Sequence, residues 1–324
     1  MFRELIDVKE DNILSLDYEL LNILLKDRTS GKNILWATDN YTRHGIGFAS
    51  HDYIDIGKIT GLYGELIKPR VKKNKEEQNI RIREKAEVFT PSWMCNKQNN
   101  LVDSEWFGVN NTFNVEKESA WITKKEKISF QNGRSWEDYI ISKRMEISCG
   151  EAPYLVSRYD TVSGKTINLD DRIGILDRKF RVLNENVDNY DIWIEFSKKA
   201  IKSVYGYDWQ GDNVLLAREN VLYTYIDNYK YKLNKKPSLD LVKEIALIIS
   251  WNIFQMDGVN FIVPYSCKNE KIVELTLFGD EEKIMECQGC KNNKYNKHNG
   301  IYVQIMNWDT NRKMKFISLL KARK

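Results

Sequence analysis

Apolar and polar positions alternate along the chain in stretches that read as helix or strand. Ile13, Leu14, Leu16, Leu20, Leu21, Ile23, Leu24 and Leu25 recur near the 3.6-residue period, which predicts one amphipathic helix over 11–27, stopped by Thr29-Ser30-Gly31. The β-rich run 33–38, bounded by Gly31 and Asp39-Asn40, predicts a strand, and 53–59 predicts a second. Residues 72–85 read as a charged helix without an apolar stripe, joining an amino-terminal α/β unit (1–85) to the remainder (86–324). Pro91 suits the first turn of a helix with Trp93, Met94 and Leu101 on its apolar side. Turn signals at Gly108, Asn110-Asn111 and Asn132-Gly133 make 103–137 irregular.

Next comes Met145-Glu-Ile-Ser-Cys-Gly-Glu-Ala-Pro-Tyr-Leu155, a short strand ending in a turn of small residues. Residues 172–178 read as a strand or strand edge, and long helices fit 191–205 and 212–233. A further helix starts at Pro237 with Ser238 as its cap, runs to about residue 250 and feeds a strand over 251–257. Alternating strands and helices predict an α/β fold on a doubly wound, mostly parallel sheet, with an amino-terminal α/β extension and a helical insertion.

With 324 residues, 42% of them apolar, the chain can bury a core of one large or two ordinary domains. The net charge of +4 is small, but the basic excess is local. Lys68, Arg70, Lys72, Lys73, Lys75, Arg81, Arg83 and Lys85 form one cluster, and Arg312, Lys313, Lys315, Lys321, Arg323 and Lys324 form another. Each is either a solvated face or a phosphate contact, the second reading making DNA a partner. No window approaches the roughly 18 apolar residues of a membrane span, and the amino terminus has no apolar core, so a cytoplasmic location is expected. An odd number of cysteines, five, argues for reduced thiols or metal ligands rather than disulfides.

In a doubly wound sheet the ligand sits at the carboxyl ends of the strands, where the first strand-to-helix turn must let backbone approach it closely. Ser148–Ala152 is such a turn, and Gly150 gives it freedom of dihedral and clearance. Alone, a glycine turn of this kind usually only packs.

Phe89-Thr90-Pro91 followed by Cys149-Gly150 resembles the Phe-Thr-Pro segment and the Pro-x-Cys-Gly-x-Gly motif of the N6-adenine DNA methyltransferases of restriction-modification systems. Over its full length the chain is similar to proteins labelled restriction endonuclease subunit M. The resemblance implies S-adenosylmethionine as cofactor, with Phe89, Thr90 and Pro91 beside its methionine end and Glu146, Ser148, Cys149 and Gly150 in the cofactor loop. Ala152 stands where the motif has its second glycine.

A second-strand acid should then meet the ribose hydroxyls. Asp257, in Trp251-Asn-Ile-Phe-Gln-Met-Asp-Gly258, resembles the family's Asn-Ile-Tyr-Gly-Val-Asp pattern; Asp177 competes, and either can be an ordinary turn acid. Asn307 or Asp309 fits a third-strand motif for the adenine edge.

The family also needs an Asn/Asp-Pro-Pro-aromatic tetrapeptide to accept hydrogen bonds from the target amino group, and none occurs among the five prolines. Val263-Pro-Tyr-Ser266 lacks the acceptor. The expectation is therefore a split or truncated methyltransferase subunit, inactive alone, whose partner is a second methyltransferase or restriction subunit encoded beside it. The alternative is an inactive DNA-binding or assembly module that keeps the fold. A nuclease would need a distinctive carboxylate spacing that is missing, and three histidines leave little for histidine-based catalysis.

Cys287-Gln-Gly-Cys290 is a Cys-x-x-Cys knuckle, preceded by Cys267 and followed by His298. Three thiolates and an imidazole make a closed tetrahedral set suited to structural zinc, fixing a loop over 267–300 that is too polar to hold itself. In the other reading, Cys267 is a small buried residue and His298 a surface one.

Overall fold

The computed structural model describes residues 9–85, 87, 90–276 and 279–321, with 84, 85, 270, 272–276, 279–283 and 321 described through their backbone. Helices α1 (Glu10–Leu16) and α2 (Tyr18–Leu25) are followed by short 3-10 turns, α3 (Lys75–Lys85) and α4 (Ser92–Phe107). The hairpin of β1 (Asn114–Lys117) and β2 (Ala120–Thr123) precedes α5 (Trp136–Ile141) and β3 (Arg144–Ile147). Then come α6 (Ile175–Asn186), α7 (Tyr190–Lys202), β4 (Val204–Asp208), α8 (Gly211–Leu233), α9 (Leu239–Asn252) and β5 (Ile253–Gln255). The last part holds β6 (Glu270–Thr276), β7 (Gly279–Met285), α10 (Gln288–Asn292), β8 (Gln304–Asn307), β9 (Arg312–Lys315) and α11 (Ser318–Lys321).

The fold is α/β. Strands β3, β4 and β5 form a short parallel sheet in that order, while β1-β2, β6-β7 and β8-β9 are antiparallel pairs. One sheet face, with Val204 and Ile253, joins the main core around α8 and α9; the other, with Tyr205 and Phe254, packs on Val303, Ile305 and Phe316. Helix α8 is buried on nearly every side, and its enclosed face carries polar residues, Asp212, Asn213, Arg218, Glu219 and Asn220, beside Val214, Leu215 and Leu222. Its Arg218 is fully buried and donates to the carbonyls of Leu24, Lys26, Ser250 and Ile253, tying α2 to the sheet. The core runs continuously from Ile13 and Leu24 through Trp36 to Leu215 and Ile249.

Several local expectations give way to side chains that outcompete the backbone pattern. The single helix over 11–27 is two, because Asp17 is extended (φ −171°) and its carboxylate caps α2 at the Leu20 N–H. The strand over 33–38 is reduced to isolated bridges: Leu35 exchanges both backbone bonds with the Gln255 carboxamide, and Ala37 turns left-handed (φ 51°). Likewise 53–59 holds one bridge at Tyr53 and a 3-10 turn. The stretch 172–178 enters α6 rather than a strand, because Asp177 caps the helix by accepting from Gly174 N–H. The helix over 191–205 stops at Lys202, leaving Val204–Asp208 as the central strand. The region 103–137 also contains the end of α4 and the β1-β2 hairpin. Ser238 caps α9 as its sequence position indicates, accepting from Leu241 N–H.

Candidate functional site

At the carboxyl ends of β3 and β4 lies a cleft of about 480 Å³, lined by residues from Glu87 to Asn213. Its floor is the turn after β3. The Cys149 N–H donates to Tyr207 carbonyl at 2.8 Å and so continues the parallel ladder one step past the strand. Ser148, Gly150 and Ala152 then all take left-handed backbone, with φ of 48°, 52° and 63°. For serine and alanine this geometry costs about 1 kcal/mol or more each, so the chain holds the turn against local preference. Ala152, at the motif's second glycine, thus has a glycine's backbone.

The turn is clamped by carboxylates. Glu146, pointing inward from β3, accepts from the N–H groups of Tyr154 (3.3 Å) and Leu155 (3.2 Å). Asp208, the last residue of β4, accepts from Gly150 N–H at 2.9 Å through one oxygen and from Gln210 N–H at 2.9 Å through the other. Each carboxylate oxygen accepts two bonds, so Asp208 keeps acceptor capacity toward the cleft. Burial pushes Glu146 well above the usual carboxylate range and Asp208 up to about 6, against the N–H groups that bond them. Glu87 and Glu151 also line the cleft, and among the described residues no lysine or arginine does. Burial also raises Glu151, and Glu87 is paired with Arg81, so Asp208 is the carboxylate of this wall best placed to meet a positively charged or hydroxyl-bearing ligand. Trp209 and Tyr154 add ring faces at the walls.

Of the residues expected at the cofactor, Thr90, Glu146, Ser148, Cys149 and Gly150 line this one cleft. Phe89 lies outside the described residues. Pro91 is the N-cap of α4 and borders a neighbouring cavity with Ser92 and Trp93. Asp177 holds the loop before α6, accepting from Ser157 N–H at 2.8 Å and Ser157 hydroxyl at 3.0 Å. Asn307 closes the turn between β8 and β9 by accepting from Asp309 N–H, and Asp309 pairs with Lys143 at the surface. Asp257 lies two residues past β5 and organises its own turn, accepting from Val259 and Asn260 N–H groups. The acid that reaches the cleft from the neighbouring strand is Asp208, which the sequence reading passed over. A sequence signal was present in the acidic residue that ends the short run Val204-Tyr-Gly-Tyr-Asp208.

The second candidate is a metal centre. Cys267, Cys287, Cys290 and His298 place their ligand atoms within 4.8 Å of one another. The sulfurs lie 3.4, 3.7 and 3.5 Å from His298 Nδ1. Tetrahedral zinc, with Zn–S about 2.3 Å and Zn–N about 2.0 Å, separates sulfur and nitrogen by about 3.5 Å. The four residues can therefore hold such an ion. His298 Nε2 lies 3.0 Å from Asn260 Oδ1, a bond that assigns the ring proton to Nε2 and leaves the Nδ1 lone pair for the metal. Asn260 Nδ2 in turn donates to Asp257 Oδ2 at 2.8 Å, so Asp257 anchors the outer shell of this centre. Asn299 N–H donates to Cys287 Sγ at 3.3 Å. Burial opposes it, yet such N–H groups bring the Cys287 thiol down to about 6, toward the thiolate a metal needs. A methyl group on Gly289 would sit 2.5 Å from the His298 ring, so only glycine fits the knuckle.

Among the described residues no helix is long and apolar enough to cross a membrane. No protein family, curated protein or solved structure matches this chain.

Proposed function

We propose that this chain is the S-adenosylmethionine-binding part of a DNA adenine-N6 methyltransferase of a restriction-modification system, with the target-binding tetrapeptide supplied by a second polypeptide. The observation that carries the reading is the contact of Asp208 at the end of β4 with the Gly150 N–H at the end of β3, over a cation-free cleft. In a doubly wound sheet the first two strand ends are where a nucleoside sits, with the second-strand acid on the ribose. The ribose hydroxyls and positive charge of the cofactor suit Asp208, and Trp209 offers its ring to the adenine. The order β3-β4-β5 corresponds to one half of such a sheet, whose first strand takes a fourth on its other side. Here that other edge belongs to β3, which has no strand on that side among the described residues, and the partner's strand is assigned to it. Zinc in the thiol cluster is structural, since all four coordination positions come from protein.

Calorimetric titration with S-adenosylmethionine tests the core of this proposal: a 1:1 binding heat is expected, and no heat together with no thermal shift would sink it. Co-expression with the neighbouring open reading frame should yield DNA methylation that neither chain shows alone. Ala152 and the missing tetrapeptide favour a second reading, an assembly module without cofactor chemistry. Cofactor binding without any methylation in the co-expressed complex would select it.

A further inference from the structure

A cavity of about 510 Å³ lies among the end of β2, the 3-10 turn Leu169–Asp171, α6 and α8, and it shares no lining residue with the cofactor cleft. Two side chains in its wall carry buried polar atoms of opposite kind that bond nothing. Arg172, whose side chain is 9% exposed, donates from Nε to the Ile167 carbonyl and from Nη2 to Asp227, while its Nη1 has no acceptor. Asp177, 6% exposed, accepts from Ser157 and Gly174 through Oδ2 alone, and its Oδ1 has no donor. Ile167, Asp227, Ser157 and Gly174 do not line the cavity, so the engaged atoms face away from it and the unengaged ones are left on its side. Burial raises the Asp177 carboxyl above its ordinary value and the Arg172 charge opposes that rise, which makes the two groups electrostatic neighbours. Native interiors rarely leave such atoms without a partner, and a donor and an acceptor in one cavity mark a place where one molecule can serve both.

Water alone can bond both atoms, but the charge around them calls for an anion. Asp227 Oδ2 is the one carboxylate oxygen that serves both Arg158, at 3.1 Å, and Arg172, at 2.8 Å, so two guanidiniums share a single negative charge. Lys124, also in the cavity wall, has no ion pair or side-chain hydrogen bond among the described residues. The acids of the wall do not answer it: Glu185 pairs with Arg181, and Asp170 is engaged by the Tyr231 hydroxyl. A guanidinium with a free N–H and an unpaired ammonium suit a phosphate in charge and donor number. Asp177 Oδ1, an acceptor, suits a hydroxyl carried by the same molecule. The volume is that of a small-molecule pocket rather than of a bare ion site.

We propose that this cavity binds a hydroxyl-bearing phosphomonoester of sugar-phosphate size, its phosphate held by Arg172 and Lys124 and one hydroxyl donating to Asp177 Oδ1. The site stands apart from the cofactor reading and does not depend on it. Because Asp177 also caps α6 through its other oxygen, the ligand fastens that helix start.

The test is calorimetric titration of the full chain in phosphate-free buffer, without S-adenosylmethionine, with ribose 5-phosphate and with methyl phosphate, which has the charge but no hydroxyl. Ribose 5-phosphate should bind 1:1, about tenfold or more tighter than methyl phosphate, and should raise the melting temperature. Lys124→Glu should weaken ribose 5-phosphate by about tenfold or more and leave the melting temperature of the free protein unchanged, since that side chain has no partner to lose. Arg172→Lys keeps the charge and removes the free Nη1 donor, and should weaken binding by about tenfold. Where Arg172→Lys also lowers the melting temperature of the free protein, Lys124→Glu decides. No binding of either probe at about 10 mM, equal affinity for the two, or unchanged binding in Lys124→Glu overturns the inference. Ribose 5-phosphate binding in a protein that takes up no S-adenosylmethionine would keep this inference and sink the cofactor proposal, and the reverse result would sink this one alone.

Discussion

The cleft beside the 148–152 turn collects its walls from Glu87 through Asn213, across a parallel sheet and two helix starts, whereas the thiol cluster takes its four ligands from Cys267 to His298. The cluster is held by covalent spacing and a few short bonds, so it is specified locally. The cleft exists only if β3 and β4 pair in register, with Glu146 opposite Gly206. Asp257 joins the comparison because its sequence context points to the cleft and its contacts point to the cluster. Damage to the cluster should therefore stay local, while damage to the strand ends should remove ligand binding.

Cys290→Ser should have the largest effect. Metal content measured by plasma mass spectrometry should fall from one ion per chain to near zero, and amides over 267–300 should lose exchange protection, since ligation supplies several kcal/mol of local folding energy. S-adenosylmethionine heat should change little. Were it lost as well, the two regions would not be independent.

Asp208→Asn comes next, because it removes a charged acceptor from the cleft while keeping its shape. The dissociation constant for S-adenosylmethionine should rise about 10- to 100-fold by calorimetry, the scale of one or two kcal/mol or more for a charged hydrogen bond. Asp257→Asn is the matched control. It should leave cofactor affinity within about threefold and instead weaken metal retention about 10-fold in a chelator competition, acting through Asn260 and His298. The opposite pattern would return the ribose contact to Asp257.

Acid should separate the regions more gently. Burial holds the free Asp208 carboxyl at about 6, above its ordinary value, and a bound cation favours its ionised form, so binding below that pH releases a proton. The part of the affinity that Asp208 supplies should be flat above about pH 7 and fall as pH drops through 6, by up to about tenfold per unit. A flat profile from pH 5 to 8 would exclude Asp208 from the contact.

The smallest effect belongs to Ala152→Gly. Relief of left-handed strain, about 1 kcal/mol, is offset by a lost buried methyl and by glycine's chain entropy, so urea unfolding should shift by less than about 1 kcal/mol. A larger loss would show that the Ala152 methyl, and not the backbone, shapes the turn.

Much of both sites was legible in the residues. Cys267, Cys287, Cys290 and His298 form one cluster as their spacing allows, and Thr90, Glu146, Ser148, Cys149 and Gly150 share a cleft. Asp208 was not singled out in the sequence because Tyr205-Gly-Tyr-Asp208 follows directly on α7 and reads as its continuation, while Met256-Asp257 follows a longer apolar run. The strand expected over 33–38 failed for a related reason: the Gln255 side chain, distant in sequence, takes the Leu35 bonds a strand partner would have used.

By itself, then, the sequence determined helix α8, the Ser238 cap, the glycine turn and the zinc-type ligand set, because each depends on periodicity or spacing within a few tens of residues. Tertiary structure alone decided which carboxylates meet. Asp208 faces Gly150 across two paired strands, and Asp177 turns inward to Ser157. A carboxylate goes to the N–H or amide that packing brings within about 3 Å, and no spacing along the chain encodes that distance.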